Sequence, residues 1–325
     1  MPSDRPKPYY QVIDGVPRCP FMTPESLRDG LDFVPASGDV FQVSYPKSGT
    51  HWVQYIIQLI LRNGEPLSSY EDFMKNAAFV EYVPGPRNYK PSNPVRTLLT
   101  HLPLRQENIN PEAKYVYVAR NPWDCCVSLY HQVKDMSIFR FEDGTFDDFL
   151  EAFLEGDLSY GDYFKHVVGG YSLKNEPNLF FVTYEELKKN PRGTVLRLAR
   201  FIGERYGDML ETDGAEGKKL VDIIIERSGP ENMRKIMALN LAEHHDAKVN
   251  ERLKELDVSS KVAHGGNSKC HNFVRKAKVG GWKECFSPDQ LRRMEATIAE
   301  NTHGSDVMGL WSDIRQEAMR VCERV

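Results

Sequence analysis

Apolar positions along the chain fall into two alternating patterns: short β-branched or aromatic runs, then longer stretches with helical spacing. Val40–Ser44 (VFQVS), residues 96–100, Lys114–Ala119 (KYVYVA) and Leu179–Thr183 (LFFVT) read as buried-type strands. Helices are predicted over 51–60, 122–134, 146–154, 193–203, 217–227, 231–241, 289–300 and 309–321. In the first of them, Trp52, Val53, Ile56, Ile57, Leu59 and Ile60 cover most of the circumference, which places it inside a core. Thr23 before Pro24, Asn121 before Pro122, and Thr145 with Asp148 are start signals. Strands alternating with helices predict an α/β fold. We expect a single domain over 1–325, with a central, mainly parallel sheet and helices on both faces.

Three stretches break the pattern. Residues 1–38 read as an irregular arm with one short helix, and 79–94, carrying Pro84, Gly85, Pro86, Pro91 and Pro94, as a loop that shapes a pocket. Residues 244–269 are polar, contain Gly265-Gly266, and read as a mobile surface loop or lid. Composition narrows the function classes. With 41% hydrophobic and 27% charged residues the chain is globular with an ample core, and no apolar run is long enough to span a membrane. The opening residues lack the apolar stretch of a secretory signal. A net charge of -4 argues against coating nucleic acid, so neither nucleic acid nor membrane is expected as a partner. Six cysteines without metal or disulfide spacing read as thiols of a reducing compartment, which implies a cytoplasmic protein with no metal site.

The chemistry concentrates where strands end. Tyr45-Pro46-Lys47-Ser48-Gly49-Thr50 turns the chain from the first strand into the buried helix. Backbone N–H groups, a positive dipole end, a lysine and two hydroxyls then suit an anion, most naturally a phosphate. An ordinary turn with a solvated lysine is the bland alternative. The usual ATP loop is excluded, because there the glycines precede the lysine and here the lysine precedes the only glycine. His101, Arg120 and Tyr184 also lie just past predicted strands, where ligands of parallel sheets gather. Arg120 can fork onto a phosphate or serve as an ion pair, and Ser128, eight residues on, can face the same ligand or merely pack. His101 could be a general base or a hydrogen-bonded loop residue. The basic run from Asn272 to Lys283 can be a solvated face, or Arg275-Lys276 can clamp a second phosphate.

These motifs together resemble the cytosolic sulfotransferases, which move a sulfonate from 3′-phosphoadenylyl sulfate (PAPS) to a hydroxyl or amine. The resemblance rests on residues 45–52, Thr100-His101-Leu102-Pro103, and Tyr117-Val118-Ala119-Arg120-Asn121-Pro122 through Ser128-Leu129-Tyr130-His131. It continues with Tyr184-Glu185-Glu186, Asn190-Pro191 and the stretch from Arg275 to Lys283, all in family order across nearly the whole chain. It implies a P-loop-like cradle in which Lys47, Ser48, Gly49, Thr50 and His51 hold the 5′-phosphosulfate and Trp52 stacks near the adenine. Arg120, Ser128, Arg275 and Lys276 would grip the 3′-phosphate. Tyr184, Ser228, Phe273, Val274 and Ala277 would complete the nucleotide pocket. His101 would be the general base, with Lys47 and Ser128 also in the catalytic set. PAPS would be co-substrate, adenosine 3′,5′-bisphosphate (PAP) product, and no metal would be required. The acceptor would be a small molecule, by preference a phenol or catecholamine, walled by Phe79, Tyr82, Tyr89, Phe139 and Phe141. Asp135, Glu142 and Asp143 read as solvated acids or partners of an acceptor amine.

Four motifs depart from the family pattern. Leu99 replaces the lysine before Thr-His-Leu-Pro, His51 replaces the second threonine of the loop, and Ala277 replaces the last glycine of Arg-Lys-Gly. His51 could add a donor that offsets the missing lysine, and Ala277 is strained if its φ is positive. Ser287-Pro288 and Arg292 stand in the dimer motif where threonine-valine and glutamate are expected, so a monomer or a non-standard dimer follows. The competing functions are a catalytically weakened PAP- or PAPS-binding protein and a nucleotide kinase.

Overall fold

The structure, a computed structural model, describes residues 5–214, 217–241, 251, 254–255 and 270–323. In chain order the strands are β1 (Gln11–Ile13), β2 (Val16–Arg18), β3 (Val40–Ser44), β4 (Ala78–Phe79), β5 (Thr97–Thr100), β6 (Lys114–Ala119), β7 (Leu179–Thr183), β8 (Ala238–Asn240) and β9 (Cys270–Asn272). The helices are α1 (Pro24–Leu31), α2 (Thr50–Leu61), α3 (Tyr70–Met74), α4 (Pro122–Asp135), α5 (Phe146–Glu155), α6 (Tyr163–Ser172), α7 (Tyr184–Lys189), α8 (Pro191–Ile202), α9 (Glu204–Leu210), α10 (Leu220–Arg227), α11 (Pro230–Ile236), α12 (Pro288–Asn301) and α13 (Ser312–Glu323).

Five strands form the central sheet in the order β4-β5-β3-β6-β7, and every pairing is parallel. Alternation along each strand divides the core in two. Phe41, Val43, Tyr115 and Tyr117 face one cluster, which includes residues of α1, α4, α5, α6, α12 and α13. Val40, Val116, Val118 and Val182 face the other, with α2, α8, α9, α10 and α11. The expected α/β architecture is therefore present. β3 is the middle strand: the chain leaves it toward β4 and β5 on one side and returns to β6 and β7 on the other. That reversal opens a crevice beyond the carboxyl end of β3. The register (Val43 opposite Thr100, Ser44 opposite Val118, Ala119 opposite Thr183) brings the ends of β5, β6 and β7 to the same rim.

Three local readings change. The arm holds a β1–β2 hairpin, turned at Asp14-Gly15 with φ of 52° and 78°, a turn type for which Asp-Gly is the favoured pair. The helix expected over 231–241 stops at Ile236, because Ala238–Asn240 pairs instead with the distant Cys270–Asn272. α6 was not foreseen, since Gly169-Gly170 dilutes its pattern. Gly170 is needed for packing: a Cβ there would lie 2.0 Å from the Tyr117 ring. Ser287-Pro288, out of place for a dimer motif, begins α12 with a capping box to Gln290. The stretch 244–269 lies outside the described residues apart from 251, 254 and 255.

Candidate active site

The turn after β3 is held in an uncommon conformation. Lys47 has φ 69° and Gly49 φ 107°. A Cβ on Gly49 would stand 2.9 Å from Tyr184, so the close approach of β7's end demands glycine. Gly49 also provides no capping side chain, and the first-turn N–H groups of α2 stay turned toward the crevice. Gln42 donates to the Thr50 carbonyl at 2.9 Å, and the Ser44 and Thr50 hydroxyls meet at 2.7 Å, which ties the exit of the turn to the strand. The left-handed Lys47 is an unfavourable backbone for a residue with a Cβ, held in part because its carbonyl accepts Arg120 Nη1 at 3.1 Å. Its ammonium is pushed down to about 8, chiefly by burial, then by Arg120 and Arg275. A cation desolvated beside two others is primed for an anion.

His101 follows β5 at the same rim, 8% exposed. Its backbone N–H donates to Glu81 Oε1 at 2.7 Å, and its Nδ1 lies 2.8 Å from the Ser44 carbonyl. A carbonyl only accepts, so Nδ1 carries the proton and Nε2 is left with a free lone pair. The imidazole is lowered to about 4, chiefly by burial and in smaller part by Lys47, with the bond to Ser44 opposing, so the ring is neutral at physiological pH. This is the protonation state of a base.

Arg120, past β6, is clamped rather than free. It donates from Nη2 to the Lys278 carbonyl at 3.1 Å, lies over the Tyr184 ring at 4.4 Å, and has Asp124 at 4.0 Å. Its Nε is buried with no partner, a donor that an incoming anion would satisfy. Trp52 stands edge-on to Tyr184 at 5.2 Å, with the Lys188 ammonium 4.9 Å above its ring. Ser128 projects from α4 into the crevice, and Ser228 reaches it from the end of α10, its hydroxyl donating to Ile225 at 3.2 Å. Phe273, Val274, Arg275, Lys276 and Ala277 complete this side. Lys276 and Lys278 both pair with Glu284. Ala277 has φ 52°, so the alanine that replaces the family's glycine does sit in the left-handed region.

One cavity of 630 Å³ joins these groups. Lys47, Gly49, Thr50, His51 and Trp52 line it, but Ser48 does not: its side chain is fully buried, with Oγ 4.0 Å from Cys125 Sγ. Ser48 therefore offers no side chain to a ligand. Phe79, Tyr82, Tyr89 and Phe139 line the other end. Phe141 does not; it is 2% exposed and packs over Gly144 and Phe149, in the core rather than the pocket. Phe21, Met136 and Tyr160 take part unforeseen, brought in from the arm and from the ends of α4 and the α5–α6 connection. Tyr160 sets its ring edge-on to His101 at 5.5 Å and shares a 2.8 Å hydrogen bond with Tyr82. Asp135 is buried against His271 and is not a solvated acid. Leu99 is buried with Ala77 and Phe79 and gives no polar group to the cavity. His51 lies on Phe273 at 4.3 Å with its rings nearly parallel, and Nε2 is 3.3 Å from the Tyr70 hydroxyl. Burial holds its pKa well below 6.5, so the ring is neutral and does not restore the missing lysine's charge. Among the described residues, no group of three or more His, Cys, Asp or Glu is placed to hold a metal.

A parallel sheet with a lysine-bearing turn at its switch point and a neutral histidine beside it suits a nucleotide-dependent group-transfer enzyme. Comparison with known proteins makes the class specific. The sequence model of the sulfotransferase domain matches residues 37–306. Sulfotransferase 2B1 of Mus musculus is 30% identical over 270 residues, 82% of this chain and 72% of that protein. The amine sulfotransferase of Oryctolagus cuniculus is 30% identical over 291 residues, 88% of each. Among solved structures, mouse sulfotransferase SULT7A1 complexed with PAP superposes with a TM-score of 0.65 at 24% identity, covering 95% of this chain and 99% of that one. Retinol dehydratase in complex with androsterone and PAP gives 0.65 at 21% identity, covering 88% and 87%. The chain belongs to the sulfotransferase family and is a PAPS-dependent sulfotransferase. The kinase alternative falls with that assignment.

Proposed function

We propose that this single domain moves the sulfonate of PAPS to the hydroxyl of a small aromatic acceptor, a phenol or catecholamine, with His101 as general base. The observation that carries the reading is the Nδ1–H of His101 committed to Ser44, which leaves Nε2 as acceptor beside Lys47 on the wall of the cavity. The residues present fit the donor: the uncapped first turn of α2, Lys47 and Arg120, which lines the cavity, suit an anion. Bound PAPS supplies the activated sulfonate. Lys47, Gly49, Thr50 and His51 would hold its 5′ end, while Ser48, whose N–H donates to the Tyr45 carbonyl at 3.2 Å, shapes the turn. Trp52 and Tyr184 would flank the base. Arg120, Ser128, Arg275 and Lys276 would hold the 3′-phosphate, Ser228, Phe273, Val274 and Ala277 closing the pocket.

His101 Nε2 would take the acceptor's proton as its oxygen bonds to sulfur and the bond from sulfur to the 5′-phosphate oxygen breaks, releasing PAP, and Lys47 with the loop N–H groups would meet the charge that grows on that leaving oxygen. The aromatic end, Phe79, Tyr82, Tyr89 and Phe139, supports an aromatic acceptor. The amine sulfotransferase relative keeps amines in the set to be tried. Leu99 favours one further reading, a binding protein with weakened turnover, because it gives no cation to the cavity and the neutral His51 does not supply one. We place the protein in the cytoplasm, as a monomer or a dimer built without the usual motif.

The test is transfer of labelled sulfonate from PAPS across a panel of phenols, catecholamines, alcohols and amines. Turnover of a phenol bears the proposal out; tight PAP binding with no transfer to any acceptor selects the weakened binding protein. For the cradle, Arg120→Ala should weaken PAP far more than adenosine 5′-phosphosulfate, which lacks the 3′-phosphate. Equal weakening of both would misplace the arginine.

A further inference from the structure

Helix α4 is fastened at both ends to the same distant segment. Near its start, the buried Asp124 carboxylate accepts the N–H groups of Gly280 at 2.8 Å and Trp282 at 3.0 Å. At its last residue, the buried Asp135 accepts from Nδ1 of His271 on β9. His271 is 3% exposed and does not line the cavity, and its Nε2 has no partner. The spacing of the two fastenings is the informative feature. Ser128 lies on α4 between the aspartates, and Arg275 and Lys276 lie between His271 and Gly280. The three clamp residues thus occupy the middle of a strap pinned at both ends, and all three line one cavity.

The other bonds around β9 run elsewhere. Leu239 of β8 pairs with His271, Phe273 N–H donates to Met237 at 3.0 Å, Asn272 donates to the Arg234 carbonyl at 2.8 Å, and Arg234 to the Arg275 carbonyl at 3.3 Å. These fix the segment to β8 and α11. Asp135–His271 ties β9 to the helix that carries Ser128. A buried carboxylate bonded to a buried imidazole is costly to half-dismantle, because either partner left alone is a desolvated polar group. The pair therefore has one arrangement available, which suits a spacer.

We propose that Asp135 and His271 are positioning residues for the 3′-phosphate clamp, setting the height of Arg275 and Lys276 over Ser128. The inference rests on the reading of Arg275, Lys276 and Ser128 as the 3′-phosphate site. Neither member of the pair lines the cavity; both act on the clamp through the strap, and both also lie within electrostatic reach of Lys47. Their removal should cost affinity that belongs to the 3′-phosphate and spare what belongs to the 5′ end.

Calorimetric titration of PAP and of adenosine 5′-monophosphate separates the two, since the ratio of their dissociation constants isolates the 3′-phosphate. His271→Ala and Asp135→Ala should each weaken PAP about 10-fold, the scale of one charge-assisted hydrogen bond, with 5′-monophosphate binding within about 2-fold. KM for PAPS should rise while kcat at saturation holds, and Asp135→Asn, whose amide oxygen still accepts from Nδ1–H, should recover most of the PAP affinity. If the alanine variants do not fold, Asp135→Leu and His271→Leu, which fill the buried space without the hydrogen bond, carry the same comparison. Arg275→Ala is the control. Should it leave the ratio unchanged, the clamp assignment itself is wrong. If it collapses the ratio while the His271 and Asp135 variants leave it intact, or weaken both ligands alike, the positioning role is overturned and the clamp assignment stands.

Discussion

The Nδ1 of His101 lies 2.8 Å from the carbonyl oxygen of Ser44, the last residue of the central strand. One bond thereby does two things: it fixes the tautomer, and it locks the ring to the strand that delivers Lys47 three residues later. The proposed base and the lysine proposed to hold the anion are placed by the same rigid element, so their separation does not depend on a mobile loop.

That geometry predicts the behaviour of His101→Ala. The variant should fold and bind PAP, because the backbone bond from residue 101 to Glu81 is independent of the side chain. Turnover should fall roughly 10²- to 10⁴-fold, the usual contribution of a positioned base. Near-normal turnover would remove the role. Because the ring's pKa is brought down to about 4, the acid limb of kcat/KM should lie well below pH 6, not near the 6.5 of a free imidazole. A limb at 6.5 that His101→Ala abolishes would show the ring solvated.

Lys47 should report ligand binding through protons. In the free protein its pKa is down to about 8, so near that pH roughly half the molecules lack the proton. A phosphate or phosphosulfate beside it favours the charged form and raises the pKa. PAP binding at pH 8 should therefore take up roughly half a proton, measurable by titration in buffers of different ionisation enthalpy. The Lys47 share should be gone at pH 6, where the ammonium is already charged and only the phosphates of PAP, which titrate at about 6, exchange protons, so native chain and Lys47→Met should then differ at pH 8 and agree at pH 6. Uptake unchanged in that variant would assign the proton elsewhere.

Ala277 stands at φ 52°, where a Cβ is crowded against the backbone. Ala277→Gly should raise stability by about 1 kcal/mol, less the extra entropy glycine gives the unfolded chain. Denaturant midpoints measure it, and an unchanged or lowered midpoint would mean that the strap holds residue 277 without strain.

Much of this was legible because each element announces itself locally. β3, the Lys47 turn and α2 read directly from a buried run, a Pro-Lys-Ser-Gly turn and helical spacing, and His101, Arg120 and Tyr184 could be placed from their position just past strands. What the chain order hides is the direction of a side chain within a loop and the meeting of remote segments. Ser48 and Phe141 turn inward, although their neighbours Lys47 and Phe139 face the cavity. Phe21 and Tyr160 enter from segments whose path is set by tertiary packing. Asp135 looked like a solvated acid because its partner lies 136 residues away. Glu81 sits in a loop rich in proline and carries no local mark of burial.

Glu81 gives the last prediction. It is fully buried, accepts the His101 N–H from one oxygen and has no hydrogen-bond partner on the other. Burial pushes its pKa up from 4.5 to about 7. Between those values the folded chain keeps a proton that the unfolded chain releases, so the contribution of Glu81 to stability declines as pH rises from 4.5 to 7 and stays low above it. Glutamine keeps an acceptor for the His101 N–H and removes the ionisation. Glu81→Gln should therefore be more stable than the native chain at pH 8, by about 1–3 kcal/mol, with the difference closing toward pH 4.5. Denaturant midpoints of both proteins at the two pH values decide it. An equal difference at pH 4.5 and pH 8 would mean that the amide substitution acts through packing, and that the Glu81 carboxyl does not change its charge inside the fold.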